Sequence, residues 1–451
     1  MRKRALVLAG GGSRGSYQVG VWRALRELGW DFDIVTGTSV GALNGALVVQ
    51  GDYDAAVQMW QSISTTDVLN MQIDDKIDGL RDFNSKLALF LSEMAKNGGA
   101  DPRPLEEILR RCVDEERIRN SPLDFAIVTV EYPSLTPRII SKDTLPPGEL
   151  VDYLMASAAC FPAMKMREIG GAKYIDGGYY DNMPVNLAME RGAEEIVAVD
   201  LEAIGRQKAV HAKSGVKLRY VRSRWDLGVF LLFDQEVAVR NMQLGYLDGL
   251  KEFGKLEGEA YAFRPGEIVE NARELGRYFD LITIKLGITV QPCHRARLQP
   301  DPNAALCLAR AVRSGARVRM TTPAGITAAA ETAARIFALP PLEVYTFEQF
   351  NTALRSEADR LHAVDLEELR SDLEELRRPK ELLALLEGID RRHVTAFLLS
   401  ELRKGYERGD ESPLMRVIGR LAADEFIAAL YLLALEMSGR PQEPDLPPPA
   451  E

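Results

Sequence analysis

Cysteine and histidine are scarce, with four of each in 451 residues. Cys112, Cys160, Cys293 and Cys307 form no CxxC pair and have no histidine at zinc-ligand spacing. Four thiols in so long a chain are also too few for a disulfide scaffold, so they are expected to be reduced structural thiols, with no metal site. Long apolar runs are missing as well. The longest, Phe426 to Leu435, is about half of the roughly 18 residues that span a bilayer, so no transmembrane segment is expected. Positive charge is in deficit. A formal net charge of -10 speaks against a nucleic-acid partner held by phosphate neutralisation and against strong attraction to anionic membranes. The opening Met1 to Arg4 followed by apolar Ala5 to Ala9 resembles the start of a signal peptide, but glycines begin at Gly10 before a full apolar stretch has formed. The sequence therefore reads as cytoplasmic, with any membrane contact peripheral.

What is present is an ordinary globular composition, 46% hydrophobic and 27% charged. From Arg4 to about Leu201, short β-rich apolar runs alternate with helical stretches, which predicts an α/β fold with a largely parallel central sheet between helical layers. The predicted strands are Ala5–Ala9, Phe32–Thr38, Phe125–Glu131, Arg138–Ser141, Lys173–Asp176 and Glu195–Asp200. Val19, Trp22, Leu25 and Leu28 recur at helical spacing between the first two. Beyond about Gly266 the pattern turns to charged helices. Residues 1–265 are expected to form the catalytic domain, 266–440 a mainly helical extension, and 441–451 a disordered proline-rich tail. The stripe Leu366, Leu369, Leu373 and Leu376 lasts only about two heptads, which suits a core-facing helix better than a coiled coil.

Three local patterns carry chemistry. Gly37-Thr38-Ser39-Val40-Gly41 is a GxSxG between an apolar strand and the helix-like run Ala42 to Val49, the context of a nucleophile elbow. Gly10-Gly11-Gly12-Ser13-Arg14-Gly15 also joins a strand to a helix. Its N–H groups can converge on one anionic point, as an oxyanion hole or a phosphate cradle requires. The same stretch fits a dinucleotide fingerprint. That reading wants an acidic residue at the end of the second strand, where Thr36 to Ser39 stand; Asp31 and Asp33 lie at its beginning. Third, Tyr174-Ile175-Asp176-Gly177-Gly178 delivers an aspartate into a glycine turn. His211, His294, His362 and His393 all lie away from the predicted strand ends of the N-terminal region, so a carboxylate is the natural base for a serine.

These motifs, in this order, resemble the patatin-like phospholipase family. Ala156 to Ala163 resembles that family's small-residue helix and proline turn, and Leu244 to Gly249 a late helix of some bacterial members. The resemblance covers roughly residues 4 to 260. It implies a three-layer sandwich and a Ser39–Asp176 dyad, with backbone donors of Gly11, Gly12 and Ser13 stabilising the oxyanion. Gly10, Gly15, Gly37, Gly41, Gly177 and Gly178 would shape the site, and no metal or organic cofactor is implied. Arg14 would either bind a lipid phosphate or hold the loop by pairing with a carboxylate. The implied activity is hydrolysis of lipid esters. A soluble carboxylesterase or thioesterase would use the same dyad, and a non-catalytic module binding an anionic ligand would use the same loop. Leu227 to Phe233 and Cys160 to Met164 would form an apolar approach to the dyad or belong to the core.

Overall fold

The computed structural model describes residues 2–69, 99–211, 215–286, 309, 323–363, 379–410 and 413–439. The chain divides into two compact units, Met1–Phe253 and Gly254–Glu451. The leucine stripe of 366–376, Cys293, Cys307, His294 and the proline-rich tail fall outside the described residues.

The first unit is built on one eight-stranded sheet. Its strands are β1 Arg4–Leu8, β2 Ile34–Thr38, β3 Asp124–Tyr132, β4 Thr136–Ser141, β5 Arg167–Ile169, β6 Ala172–Asp176, β7 Glu195–Asp200 and β8 Lys217–Arg222. The order is β5-β6-β3-β2-β1-β7-β8, with β4 pairing β3 off that path. The run β3-β2-β1-β7-β8 is parallel, while β4 and β6 run antiparallel to β3 and β5 antiparallel to β6. β1 and β2 are buried almost throughout, which is why they read as continuous apolar runs. β8 was not predicted. It is an edge strand whose Leu218 and Tyr220 pack inward while Lys217, Arg219 and Arg222 face water, and three charges in six residues disguised it. The three-residue β5 was also not predicted.

The helices of this unit are α1 Ser16–Glu27, α2 Val40–Gln50, α3 Tyr53–Ser62, α4 Thr65–Leu69, α5 Arg103–Cys112, α6 Glu115–Asn120, α7 Leu150–Ser157, α8 Val185–Glu190 and α9 Gln235–Glu252. The period of two along the strands sorts them into layers. Ala5, Val7, Ala9 and Ile34 turn to one face and pack with Val185, Ala188 and Met189 of α8. Val35 and Phe125 turn to the other, where Gly45 of α2 rests against them. The result is the expected three-layer sandwich. The α1–α9 crossing is unusually close. A methyl group on Gly20 would stand 1.8 Å from the Met242 carbonyl oxygen, and one on Gly245 2.1 Å from that of Tyr17. Tyr17 Oη also donates to Asp248 at 2.7 Å. The Leu244–Gly249 stretch is therefore the helix that seats α1, the helix following the glycine loop.

The second unit is mainly helical: α10 Glu267–Lys285, α11 Pro323–Ile336, α12 Phe347–Asp359, α13 Pro379–Gly388, α14 Arg391–Arg408, α15 Pro413–Leu421 and α16 Ala423–Ser438. α16 contains the apolar run Phe426–Leu435 and is buried nearly all round, so that run is core. Among the described residues no helix is long and apolar enough to cross a membrane. Residues 254–265, which the sequence assigned to the catalytic domain, fall in this unit. Their β9, Ala262–Phe263, pairs in parallel with β10, Val344–Tyr345. The buried Glu331 carboxylate accepts from the N–H groups of Glu259, Ala260 and Tyr261 at 2.8, 3.0 and 3.2 Å.

Candidate active site

One strand organises the site. β4 pairs with β3 from Ala126 to Glu131 and so occupies one of its edges there. β2 pairs with β3 up to Val128, and β6 pairs with it from Thr129 onward, so these two share the other edge end to end. Because β6 is antiparallel, its last residue, Asp176, lies opposite Thr129, next to the position where Thr38 ends β2 opposite Val128. Ser39 follows Thr38 directly. Two motifs 137 residues apart in the sequence therefore converge on one point of the sheet.

Ser39 has φ 55° and ψ -129°, a conformation that a residue with a Cβ occupies only when its surroundings hold it there. The hold comes from both sides. Ser39 N–H donates to Ser157 Oγ at 2.9 Å, and Ser157 Oγ donates to the Val128 carbonyl at 2.7 Å, which ties the elbow to β3. On the helix side, a methyl group on Gly41 would stand 2.1 Å from the Leu8 carbonyl oxygen, so only glycine lets α2 begin this close to β1. Gly37 faces the Gly41 carbonyl just as closely.

The Asp176 carboxylate lies beside the Ser39 side chain, which pulls its pKa down. Its Oδ1 accepts from Gly178 N–H at 2.7 Å. Asp176 is 6% exposed, and burial pushes its pKa up to about 6, against the pull of the Ser39 side chain and the Gly178 N–H. Gly177 packs against the Val128 carbonyl, which keeps the turn on β3. A second buried carboxyl, Asp181, is also pushed up to about 6 by burial. Thr38 Oγ1 donates to its main-chain carbonyl at 2.8 Å.

The glycine loop lies against this pair. A methyl group on Gly10 would be 3.1 Å from Ser39 Cβ. Gly12 has φ +57°, and a methyl there would meet the Phe230 carbonyl oxygen at 1.8 Å, so the position excludes a side chain twice over. Gly10 N–H donates to Asn182 O at 2.9 Å, Ser13 N–H to Phe230 O at 2.8 Å, and Arg14 N–H to Gly11 O at 3.3 Å. Among the described residues the N–H groups of Gly11 and Gly12 donate to nothing. Ser13 was expected among the oxyanion donors, but its N–H faces Phe230 and its hydroxyl donates to Val229 O at 2.7 Å. Gly15 ends the loop, packed against Val40 and Trp60.

Arg14 holds the loop, but through main-chain carbonyls and not a carboxylate. Nε donates to Gly228 O at 2.8 Å, and Nη1 to Leu201 O and Glu202 O at 3.2 and 2.9 Å. The stretch Leu227–Phe233 is consequently a strap across the loop, with Leu227 and Leu231 buried. Cys160 lies near Asp176. Asp176 N–H donates to Ala159 O at 2.9 Å, and burial pushes the Cys160 thiol up to about 12, which leaves it an inert neighbour. Tyr179, 47% exposed, donates its hydroxyl to the Phe161 carbonyl. Phe161 in turn lies with its ring 6.2 Å from that of Tyr132.

The dinucleotide reading fails on position. Asp33 Oδ2 accepts from Arg4 N–H at 2.9 Å, at the start of β1, whereas the loop follows its other end. His211 is exposed, and His393 belongs to the second unit.

Residues 6–189 match the family described as patatin-like phospholipase. Over this region the chain is similar to proteins that carry the same description. Patatin-like phospholipase domain-containing protein 7 of Mus musculus is 28% identical over 199 residues, 44% of this chain and 13% of its own length. Lysophospholipase nte1 of Aspergillus terreus is 30% identical over 203 residues, 45% of this chain and 12% of its own. This chain thus spans about an eighth of the length of these curated relatives. Among solved structures, VipD from Legionella pneumophila aligns over 95% of this chain and 91% of its own, at 14% identity and a TM-score of 0.37. The patatin-like region ends at α8, which leaves β7, β8, α9 and the second unit beyond it.

Several residues of the site had no signal in the sequence. Ser157 was part of a small-residue helix, with nothing to mark its hydroxyl as the brace of the elbow. Asn182 carried no motif signal either. It joins the two glycine motifs: it pairs with Gly10 in both directions, N–H to O at 2.9 Å and Nδ2 to O at 3.2 Å, and its Oδ1 fills the space beside Gly178. Such contacts depend on which loops meet, which the sheet order decides and local pattern does not.

Proposed function

We propose that this chain is a serine acyl hydrolase that cleaves lipid esters. Ser39 Oγ attacks the ester carbonyl as Asp176 takes its proton, and the carbonyl oxygen, now negative, receives the N–H groups of Gly11 and Gly12. Collapse of this intermediate releases the alcohol, which takes up the proton, and leaves an acyl ester on Ser39. Water attacks that ester with Asp176 again as base, the proton passes to Ser39 Oγ as its bond to the acyl group breaks, and the fatty acid departs. The observation that carries the reading is the placement of Ser39 and the buried Asp176 at the ends of β2 and β6 on one edge of β3, with the serine held at φ 55° beside two unpaired loop N–H groups. An aspartate lifted to about 6 is a stronger base than an ordinary one and is still ionised at pH 7.

Phospholipids and lysophospholipids are the substrate class, as the names of the relatives suggest. The apolar rim of Phe161 and Tyr179 beside Asp176 suits an acyl chain, and membrane contact would be peripheral.

The test is a panel on the purified full chain. A fluorophosphonate should label Ser39, and fatty acid should be released from phosphatidylcholine vesicles or lysophosphatidylcholine micelles. Turnover of p-nitrophenyl butyrate alone would mark a soluble esterase. An intact fold with no label on Ser39 and no turnover of any ester would remove the hydrolase reading.

A further inference from the structure

Beneath the glycine loop, three buried side chains form one directed run of hydrogen bonds. Trp60 Nε1 donates to Asn44 Oδ1 at 3.0 Å. Asn44 Nδ2 donates to Gly15 O at 2.9 Å and to Gln18 Oε1 at 2.8 Å. Gln18 Nε2 donates to Ala9 O at 2.7 Å. All three side chains are 2% exposed.

The direction of this run is fixed from its two ends. An indole N–H can only donate, so Asn44 must turn its carbonyl to Trp60 and its amide to the loop. A peptide carbonyl can only accept, so Gln18 must turn its amide to Ala9. Flipping either amide would leave buried groups unpaired, and each of those would carry its full desolvation penalty. The two carbonyls gripped in this way, Ala9 O and Gly15 O, stand on either side of Gly11 and Gly12. From the opposite side the loop is held by Asn182 and by the strap at Phe230.

We infer that Trp60, Asn44 and Gln18 are positioning residues that aim the Gly11 and Gly12 N–H groups, with Trp60 setting the polarity of the run. The inference rests on the reading of those N–H groups as oxyanion donors. Such donors act on charge that appears only in the transition state, so a loosened loop lowers kcat and leaves ground-state binding almost unchanged.

Trp60→Phe in the full chain removes the N–H and keeps an aromatic ring against Phe233, on which Trp60 stacks at 6.2 Å. It should lower kcat on p-nitrophenyl butyrate by roughly tenfold or more with KM within about twofold, because small displacements of aligned donors cost this much. The midpoint of the pH profile should not move, since nothing around Asp176 has changed. Amide hydrogen exchange in peptides covering residues 9–15 should accelerate while β1 and β2 stay protected. Gln18→Met should give the same signature, and the double variant should be little worse than the poorer single one, as for residues acting as a unit. A raised KM with intact kcat, or unchanged kcat with unchanged exchange of the loop, overturns the inference. If the wild type turns over no ester yet the loop loosens in Trp60→Phe, the positioning role stands and the hydrolase reading falls. An active wild type with an unaffected loop does the reverse.

Discussion

Ser39 and Asp176 come together at the place where two strands of opposite direction, β2 and β6, end against the same edge of β3. A parallel β6 would have presented its first residue there, so the antiparallel direction of β6 is what delivers the base. The elbow supplies the other half by turning Ser39 out of the line of β2.

Ser39→Ala should retain the fold and lose ester hydrolysis by on the order of 10⁴ to 10⁶, the scale for removing a covalent nucleophile. The backbone adds a second expectation. Because Ser39 sits at φ 55°, Ser39→Gly should be more stable than Ser39→Ala by about 1 kcal/mol, the reverse of the usual order. Denaturant unfolding of the two variants measures this. An alanine variant more stable than the glycine one would mean that the elbow is unstrained.

The lifted pKa of Asp176 predicts kcat/KM rising through about pH 6 to a plateau. Asp176→Asn should approach the loss seen for Ser39→Ala, whereas Asp181→Asn should leave the midpoint in place although Asp181 is lifted to a similar value. Stability moves the other way. From its ordinary value of 3.8 up to about 6, folded Asp176 keeps a proton that the unfolded chain has released, so its contribution to stability falls as pH rises through that window. Asp176→Asn should therefore be more stable than wild type at pH 8, by up to about 3 kcal/mol, with the gap closing near pH 4. Melting curves at the two pH values decide it.

Gly12→Ala should reduce turnover by at least about 100-fold, the cost of displacing an oxyanion donor. A methyl at this position meets the Phe230 carbonyl and requires a positive φ, so the strap and the loop must part. Gly29→Ala also places a side chain at positive φ, but in open space, and should leave activity within about twofold while costing stability. Equal losses in the two variants would show that strain and not the strap contact matters.

Replacing His211, His294, His362 or His393 with alanine should each cost less than about tenfold, against 10² to 10⁴ for a general base. Steady-state rates on an activated ester suffice. One inactive but folded variant would turn the dyad into a triad.

The sequence carried the six strands whose apolar runs lie within the sheet, and it carried Ser39 and Asp176, because a strained elbow and an aspartate turn need glycine at fixed offsets. It did not carry β8, where water-facing Lys217, Arg219 and Arg222 interrupt the apolar pattern. Nor did it carry Ser157, Asn182, Gln18, Asn44 or Trp60. Their amides, hydroxyl and indole look like any buried polar group until the sheet order decides what they face. Arg14 shows the same limit: its charge suggested an anionic partner, and the fold gave it three carbonyl oxygens.

The strap and the α1–α9 crossing also bear on the order of synthesis. Gly10 to Gly15 leave the ribosome more than 200 residues before the carbonyls of Gly228, Val229 and Phe230 and the Gly245 surface that seats α1. A nascent chain therefore carries its serine elbow and glycine loop long before it carries the parts that hold the loop in shape, and the site is completed only when α9 has been made.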